Sequence, residues 1–449
     1  MKPELLRHAM RNVPRYTSYP TAPQFTPAVD GAVYADWLGG LDPAATVSLY
    51  LHVPFCRTIC HYCGCTTRAS RRDEPIAAYA ATLSREIALV AGHAGAGREV
   101  RHLHWGGGTP SILAETDFLR LVDDIARWFA VADGAEHAIE IDPRTVTAAL
   151  AATLGRAGIT RVSLGVQDFN PAVQIAIGRW QPFADVARAC ALLREAGHEQ
   201  IGFDLMYGLA RQTVEDVERT VEHAVALAPR RIAAFGYAHV PWMKKNQRRI
   251  DAASLPDPAT RLAQARAIDR QLCAAGYRRV GLDHYARPED PLARAAAGGT
   301  LRRNFQGYTT DPADCLLGFG ASAIGKLARG YVQNAPDIGG WRRAIAAGAL
   351  PVVRGLALGG EDRVRGAIIE RLMCDFAVDL EPICQRHGWP RAALGAWSET
   401  LEPLRADGLV EIDGPVITVP PEGREFVRLV AAAFDEYLAP GKARHARAV

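Results

Sequence analysis

Short β-rich runs alternate with longer stretches of helical spacing through the first half of the chain. The runs cover residues 47–53, 100–105, 138–141, 161–166, 201–206 and 231–235. Between them, residues 79–90, 118–129 and 186–195 repeat apolar positions three and four apart, the period of a helix with one buried face. Strand–helix alternation with connections of this length predicts βαβ units and a parallel sheet. Six such units fit an α/β fold, a (β/α)6-type partial TIM barrel, better than a short Rossmann sheet. No G-x-G-x-x-G follows the first run, so the dinucleotide-binding fingerprint is missing.

Polar and glycine residues collect just after these runs, where barrel active sites are built. His52-Val53-Pro54-Phe55-Cys56 follows the first, Gly106-Gly107-Gly108-Thr109-Pro110 the second, Asp142-Pro143 the third and Gln167-Asp168 the fourth. Near residue 350 the pattern changes to an amphipathic helix over 362–376. Residues 407–412 and 416–419 then flank Asp413-Gly414, a two-residue hairpin signal. A last helix is predicted over 423–437. This mainly helical domain with one small β-hairpin resembles a winged-helix arrangement but lacks a basic recognition helix, so a lid or packing role is expected. The predicted division is an N-terminal substrate-side segment (1–45), a barrel domain (46–350) and a C-terminal domain (351–449).

With 49% apolar residues the chain can bury a large core, and its formal charge of +3 over 449 residues argues against nucleic acid as the main partner. No uncharged apolar run reaches the roughly 18–20 residues of a membrane span, and the first residues lack a signal-peptide core. A cytoplasmic, monomeric protein is expected. Four of the nine cysteines crowd between 56 and 65, which points to metal or redox chemistry rather than a disulfide framework. Cys190, Cys273, Cys315, Cys374 and Cys384 stand singly and are expected as buried small hydrophobes.

The crowd reads Cys56-Arg57-Thr58-Ile59-Cys60-His61-Tyr62-Cys63. Three thiolates in C-x3-C-x2-C spacing can ligate three irons of a [4Fe–4S] cubane, leaving the fourth iron open to a small molecule. Zinc held by the three cysteines with His52 or His61 is the alternative, but zinc loops favour paired C-x2-C spacing. Cys65 lies too close in sequence to reach the fourth iron easily, and a role near substrate or cofactor suits it better. Gly106-Gly107-Gly108 lets backbone approach a ligand without side-chain obstruction, and no Gly-Lys-Ser/Thr follows to make it a P-loop.

Taken with further blocks, this pattern resembles the oxygen-independent coproporphyrinogen III oxidase family of the radical S-adenosylmethionine superfamily. The blocks are the segment from Pro14 to Ala22, the cysteine motif through Cys65, His104 to Pro110, Gly165 to Asn170, Asp204 to Leu209, Tyr237 to His239, Asp283 to Pro288 and Arg303 to Thr310. The resemblance implies a [4Fe–4S] cluster on Cys56, Cys60 and Cys63 and two S-adenosylmethionine molecules. Tyr50, Gly107, Glu140 and Ile324 would contact the cluster-bound one. Tyr62, Gly108, Thr109, Gln167, Arg179, Asp204 and Ala238 would contact the second. Cys65 and Tyr50 would be catalytic.

The implied reaction in porphyrin (haem) biosynthesis converts two propionates of coproporphyrinogen III to vinyl groups after hydrogen abstraction by a 5′-deoxyadenosyl radical. Arg15, Arg287 and Arg303 are candidates for the substrate carboxylates, and flavodoxin or ferredoxin for the electron donor. Three departures stand out: Tyr62 where Phe is usual, Gly208-Leu209-Ala210 for Gly-Leu-Pro, and a basic, bulky Pro241-Trp242-Met243-Lys244-Lys245-Asn246. A haem-binding chaperone or a haem-degrading radical enzyme is the competing reading. The chaperone relatives generally lack Cys65 and the Pro14–Ala22 block, and the haem-degrading enzyme is not expected to carry that block.

Overall fold

The structure is a computed structural model, and it describes residues 3–438. Six strands match the predicted runs: β1 (Val47–Val53), β2 (Glu99–Gly107), β3 (Ala130–Ile141), β4 (Arg161–Gln167), β5 (Ile201–Tyr207) and β6 (Arg231–Gly236). The helices that cross between them are α1 (Glu74–Ala94), α2 (Glu115–Trp128), α3 (Ala148–Arg156), α4 (Phe183–Glu195) and α5 (Val214–Ala226), with α6 (Pro258–Ala274) following β6.

One mixed sheet of twelve strands results. Its remaining strands are β7 (Arg278–Val280), β8 (His284–Ala286), β9 (Cys315–Phe319), β10 (Ile324–Leu327), β11 (Gly330–Asn334) and β12 (Val352–Ala357). The order is β12-β11-β10-β9-β1-β2-β3-β4-β5-β6-β8-β7, so the curved sheet keeps two edges and forms a partial barrel. β9 pairs parallel to β1, making a seventh parallel strand that the sequence pattern did not reveal. It lacks a single preceding crossover helix, and its Leu316-Leu317-Gly318-Phe319 is too short to show a period.

Side-chain alternation explains the barrel's two faces. On β4, Val162, Leu164 and Val166 are buried, while Arg161, Ser163, Gly165 and Gln167 are not. The outward residues of four strands (Leu103 and Trp105, Ile139 and Ile141, Leu164, Phe203 and Leu205) enter the main core with Val186, Ala189 and Leu193 of α4. Facing inward instead are His102, His104, Glu136, Glu140, Arg161, Ser163 and Asp204, which line the lumen. Apolar residues therefore hold the helices on, and the interior is left for polar chemistry.

A second core contains α7 (Gly360–Asp375) through Val364, Ile368 and Leu372, together with Phe426, Val430 and Phe434. Ala9, Val13, Tyr16 and Tyr19 join it, whereas Tyr34, Trp37 and Leu38 of the helix Gly31–Gly39 join the main core. The expected hairpin is present, with Asp413 opposite Val416, and Ala377–Asp379 adds a third strand. The expected helix over 423–437 is replaced by a 3-10 turn, Pro421–Phe426, and a short helix, Val427–Ala432. Beyond it tertiary bonds take over: Tyr16 donates to Asp435 at 2.9 Å and Tyr437 to Asp362 at 2.9 Å. Among the described residues no helix is long and apolar enough to cross a membrane. Of the five single cysteines, Cys273 differs from expectation in being exposed, because Leu272 takes the inward position in the last turn of α6.

The end of β1 is tied down from outside the barrel. Buried Tyr79 of α1 donates to the His52 carbonyl at 2.7 Å and accepts from the Ala321 amide at 2.9 Å. Tyr79→Phe leaves both buried groups unpaired. A loss of about 1–3 kcal/mol in unfolding free energy is expected from the denaturant midpoint.

Candidate active site

The cysteine loop leaves β1 at the C-terminal end of the sheet and is sewn to the end of β2. Gly108 N donates to Val53 O at 2.9 Å and Thr109 N to Phe55 O at 2.8 Å. This close approach explains the glycines. A Cβ on Gly108 would lie 2.5 Å from the Phe55 carbonyl, and one on Gly107 2.6 Å from the His52 ring. Gly107 also sits at φ +113°, a region L side chains rarely adopt. The glycines thus serve packing of the loop as well as access for a ligand.

Each sulfur of the motif has a polar neighbour. Cys56 Sγ is 3.4 Å from Thr109 Oγ1, Cys60 Sγ accepts from Arg179 Nη1 at 3.5 Å, and Cys63 Sγ is 3.8 Å from Thr67 Oγ1. Burial pushes the Cys56 thiol up to about 11, and hydrogen bonding from Cys65 brings Cys63 down to about 6. Among the described residues no three His, Cys, Asp or Glu side chains gather around a single ion. A cubane asks instead for one thiolate per iron. Both ring nitrogens of His52 are engaged, with Tyr50 Oη and Thr66 O each at 3.0 Å. His61 is turned to Ala176 O at 3.3 Å. The donor set therefore fits the cluster better than zinc.

From the other side the loop is held by the segment that departed from the family pattern. Asn246 Nδ2 donates to the carbonyls of Cys60, His61 and Cys63 at 3.1, 3.1 and 2.9 Å. Gln247 Nε2 donates to Tyr62 O at 2.8 Å, and Lys244 Nζ to Cys65 O at 3.0 Å. Sequence reasoning singled this segment out as basic and bulky but not as a clamp.

A cavity of about 550 Å³ opens over the loop. Cys56, Cys60, Cys63 and Cys65 line it, as do Tyr62, Gly107, Gly108, Thr109, Glu140, Gln167, Arg179, Asp204 and Ala238. Tyr50 and Ile324 are not in its wall. Tyr50 stacks on His104 with ring centres 5.9 Å apart, and its strand partner Gly318 lies under the Ile324 backbone. Gln167 takes φ +69°, a rare conformation for a non-glycine residue and one that clusters at functional sites.

Of the three carboxylates in the cavity, Glu140 and Asp204 carry opposite biases. Burial alone would raise Glu140, but the His104 contact at 3.1 Å and the Gly107 amide at 3.2 Å outweigh it and hold the carboxyl low. Asp204 is pushed up to about 7, by burial first and then by the charge of Glu140. Asp142 is paired with Arg144 at 2.6 Å and Arg179 at 3.2 Å.

A second cavity, about 370 Å³, shares Arg15, Cys65, Phe235, Gly236 and Tyr237 with the first. Arg261, Arg279, Arg303 and Arg428 also line it. Arg303 Nη1 is buried without a hydrogen-bond partner. Burial, then repulsion from Arg15, lowers Arg428 to about 10. Arg287 is elsewhere, 4.0 Å over the Tyr277 ring. Arg428 comes from the C-terminal region, where no sequence signal marked it.

Residues 50–224 match the radical SAM superfamily model. An oxygen-independent coproporphyrinogen III oxidase from Bradyrhizobium diazoefficiens is 52% identical over 437 residues, 97% of both chains. The chain belongs to the oxygen-independent coproporphyrinogen III oxidase family. The Escherichia coli K12 member is 37% identical over 428 residues, covering 95% of this chain and 93% of its own. The solved coproporphyrinogen III oxidase HemN from Escherichia coli, a radical SAM enzyme, superposes with a TM-score of 0.90 at 36% identity. That match covers 95% of this chain and 100% of HemN. A [4Fe–4S] cluster and S-adenosylmethionine are the family's cofactors, and the fold is the family's as well.

Two outcomes follow from this geometry. Asn246→Ala frees three loop carbonyls, and cluster affinity is expected to fall about 10–100-fold, read as iron and sulfide retained per chain after anaerobic gel filtration. Asp204 has a native-state pKa raised above its unfolded value, so the native state holds its proton longer and stability falls as pH rises from about 4 to 7. In metal-free protein Asp204→Asn should remove that slope and unfold at higher denaturant than the parent at pH 8, with little difference at pH 4.

Proposed function

We propose that this chain is the oxidoreductase that decarboxylates coproporphyrinogen III to protoporphyrinogen IX without oxygen, a step of haem biosynthesis. The observation that carries the reading is the arginine-lined cavity opening beside the cysteine cavity. A tetracarboxylate needs several cationic contacts, and guanidinium forks are the best partners a protein offers.

Cys56, Cys60 and Cys63 would hold the cluster, while Glu140, Gly107, Tyr50 and Ile324 would serve the S-adenosylmethionine bound to it. Tyr62, Gly108, Thr109, Gln167, Arg179, Asp204 and Ala238 would hold a second one. When bound, the cluster and S-adenosylmethionine supply a radical that abstracts hydrogen from a propionate side chain. Anionic Glu140 suits an amino group or ribose hydroxyls, and Asp204, near neutrality in charge state, suits hydroxyls as donor or acceptor. Arg15, Arg303 and Arg428 bind and orient propionates so that one arm reaches the boundary between the two cavities. Cys65 lines both cavities and is placed to act on the arm delivered there. The proposed protein acts as a cytoplasmic monomer with flavodoxin or ferredoxin as electron donor, the division at residues 45 and 350 separating substrate segment, barrel and C-terminal domain.

The deciding experiment supplies anaerobically reconstituted protein with dithionite, S-adenosylmethionine and coproporphyrinogen III. Release of 5′-deoxyadenosine, CO2 and protoporphyrinogen IX is expected. Stoichiometric haem binding without vinyl product would favour the chaperone reading. Arg303→Ala and Arg428→Ala should each lower kcat/KM by about 30-fold or more, the ~2 kcal/mol or more that a desolvated charge contact carries, while leaving cluster content unchanged.

A further inference from the structure

Most of the surface is charged and mixed, but the surround of the cysteine loop differs in two independent ways. Residues 57–72 and 241–249 each contain four Lys or Arg and no Asp or Glu, in a chain whose whole formal charge is +3. Arg57 pairs with Asp73 and Lys244 is spent on Cys65 O. The other six (Arg68, Arg71, Arg72, Lys245, Arg248 and Arg249) are exposed.

The second feature is apolar. Ile175, Trp180, Trp242 and Met243 are 65%, 55%, 48% and 67% exposed, four of the nine large hydrophobics in that condition among the described residues. All four belong to the two segments that grip the loop. His61 N donates to Ile177 O at 2.8 Å, and Asn246 binds three loop carbonyls. Beneath them Val173, Ile177, Tyr237 and Ile250 form one small core against which Tyr62 packs. Solvent-exposed apolar side chains concentrated at one place, with a rim of one charge, mark a docking surface.

We infer that this face docks an acidic protein that carries single electrons. The inference rests on the function proposed above, because that reaction needs an electron from outside. One electron leaves the reduced carrier, which is oxidised, and enters the iron–sulfur cluster, which is reduced. The loop carrying the three cysteines forms the floor of the docking face, so the path from carrier to cluster crosses few residues. A small, transient interface suits such an exchange, with attraction that salt screens.

The test uses the anaerobic holoenzyme with reduced flavodoxin, chosen for net negative charge, and compares Lys245→Glu/Arg249→Glu and Met243→Ser with the parent. Flavodoxin binding by calorimetry and flavodoxin-driven turnover should both weaken about tenfold or more in the charge variant, and the salt dependence of the parent should disappear. Met243→Ser should weaken binding without changing that salt dependence. Dithionite-driven turnover should stay at the parent's level. Variants that bind and turn over with flavodoxin as the parent does overturn the docking assignment. So does an equal loss with dithionite, which would assign these residues to loop support. Tighter binding of single-stranded poly(U) than of flavodoxin, lost in the same variants, would assign the face to nucleic acid instead. A parent inactive even with dithionite overturns the proposed reaction rather than the face.

Discussion

Three sulfurs on eight consecutive residues must face one point, and the loop's own ladder, the pairing of Phe55–Cys56 with Arg68–Ala69, reaches no further than the first of them. Its peptide groups need partners from elsewhere or the loop collapses onto water. Asn246 answers that constraint with three carbonyls at once, Gln247 and Lys244 extend the clamp, and Gly108 lets the end of β2 press against Phe55. The triple glycine, the departing segment at 241–247 and the position of β2 beside β1 all serve this one requirement.

The interior of the barrel is the second consequence. A parallel sheet ordinarily fills its lumen with branched apolar side chains, whereas here the inward positions of β2 to β5 carry His102, His104, Glu136, Glu140, Arg161 and Asp204. Burying charge is costly unless it is paired. Burial would raise Glu136, but Arg161 and His102, each 2.8 Å away, and then Arg231 hold it well below the usual carboxylate range. His104, with the Gly107 amide, holds Glu140 below its ordinary value against the effect of burial. The arginine cavity is different: Arg15, Arg303 and Arg428 face few carboxylates, chiefly Asp283 and Glu425. A cationic pocket left short of counter-charge is built for an anion that arrives.

Much of this was legible along the chain. Alternation on β4 separates buried Val162, Leu164 and Val166 from Arg161, Ser163 and Gln167 by simple parity. The cysteine spacing marked the loop, and twelve of the fourteen residues expected around a cluster and its cofactors line a single cavity with Cys65. Other features were not legible. β9 carries no period because it is five residues long, and the helix expected over 423–437 yields to bonds from Tyr16 and Tyr437 that local propensity cannot anticipate.

By itself, then, the sequence determined the strand–helix alternation, the motif and the chemistry of the donor set, because period and spacing are local properties. Only the tertiary structure decided that Asn246 holds the cysteine loop, that Tyr50 and Ile324 stand behind the cavity wall, and that Arg428 meets Arg15 across more than four hundred residues. Those pairings depend on where the sheet curves and which segments it brings to its mouth, and no short stretch of chain encodes that distance.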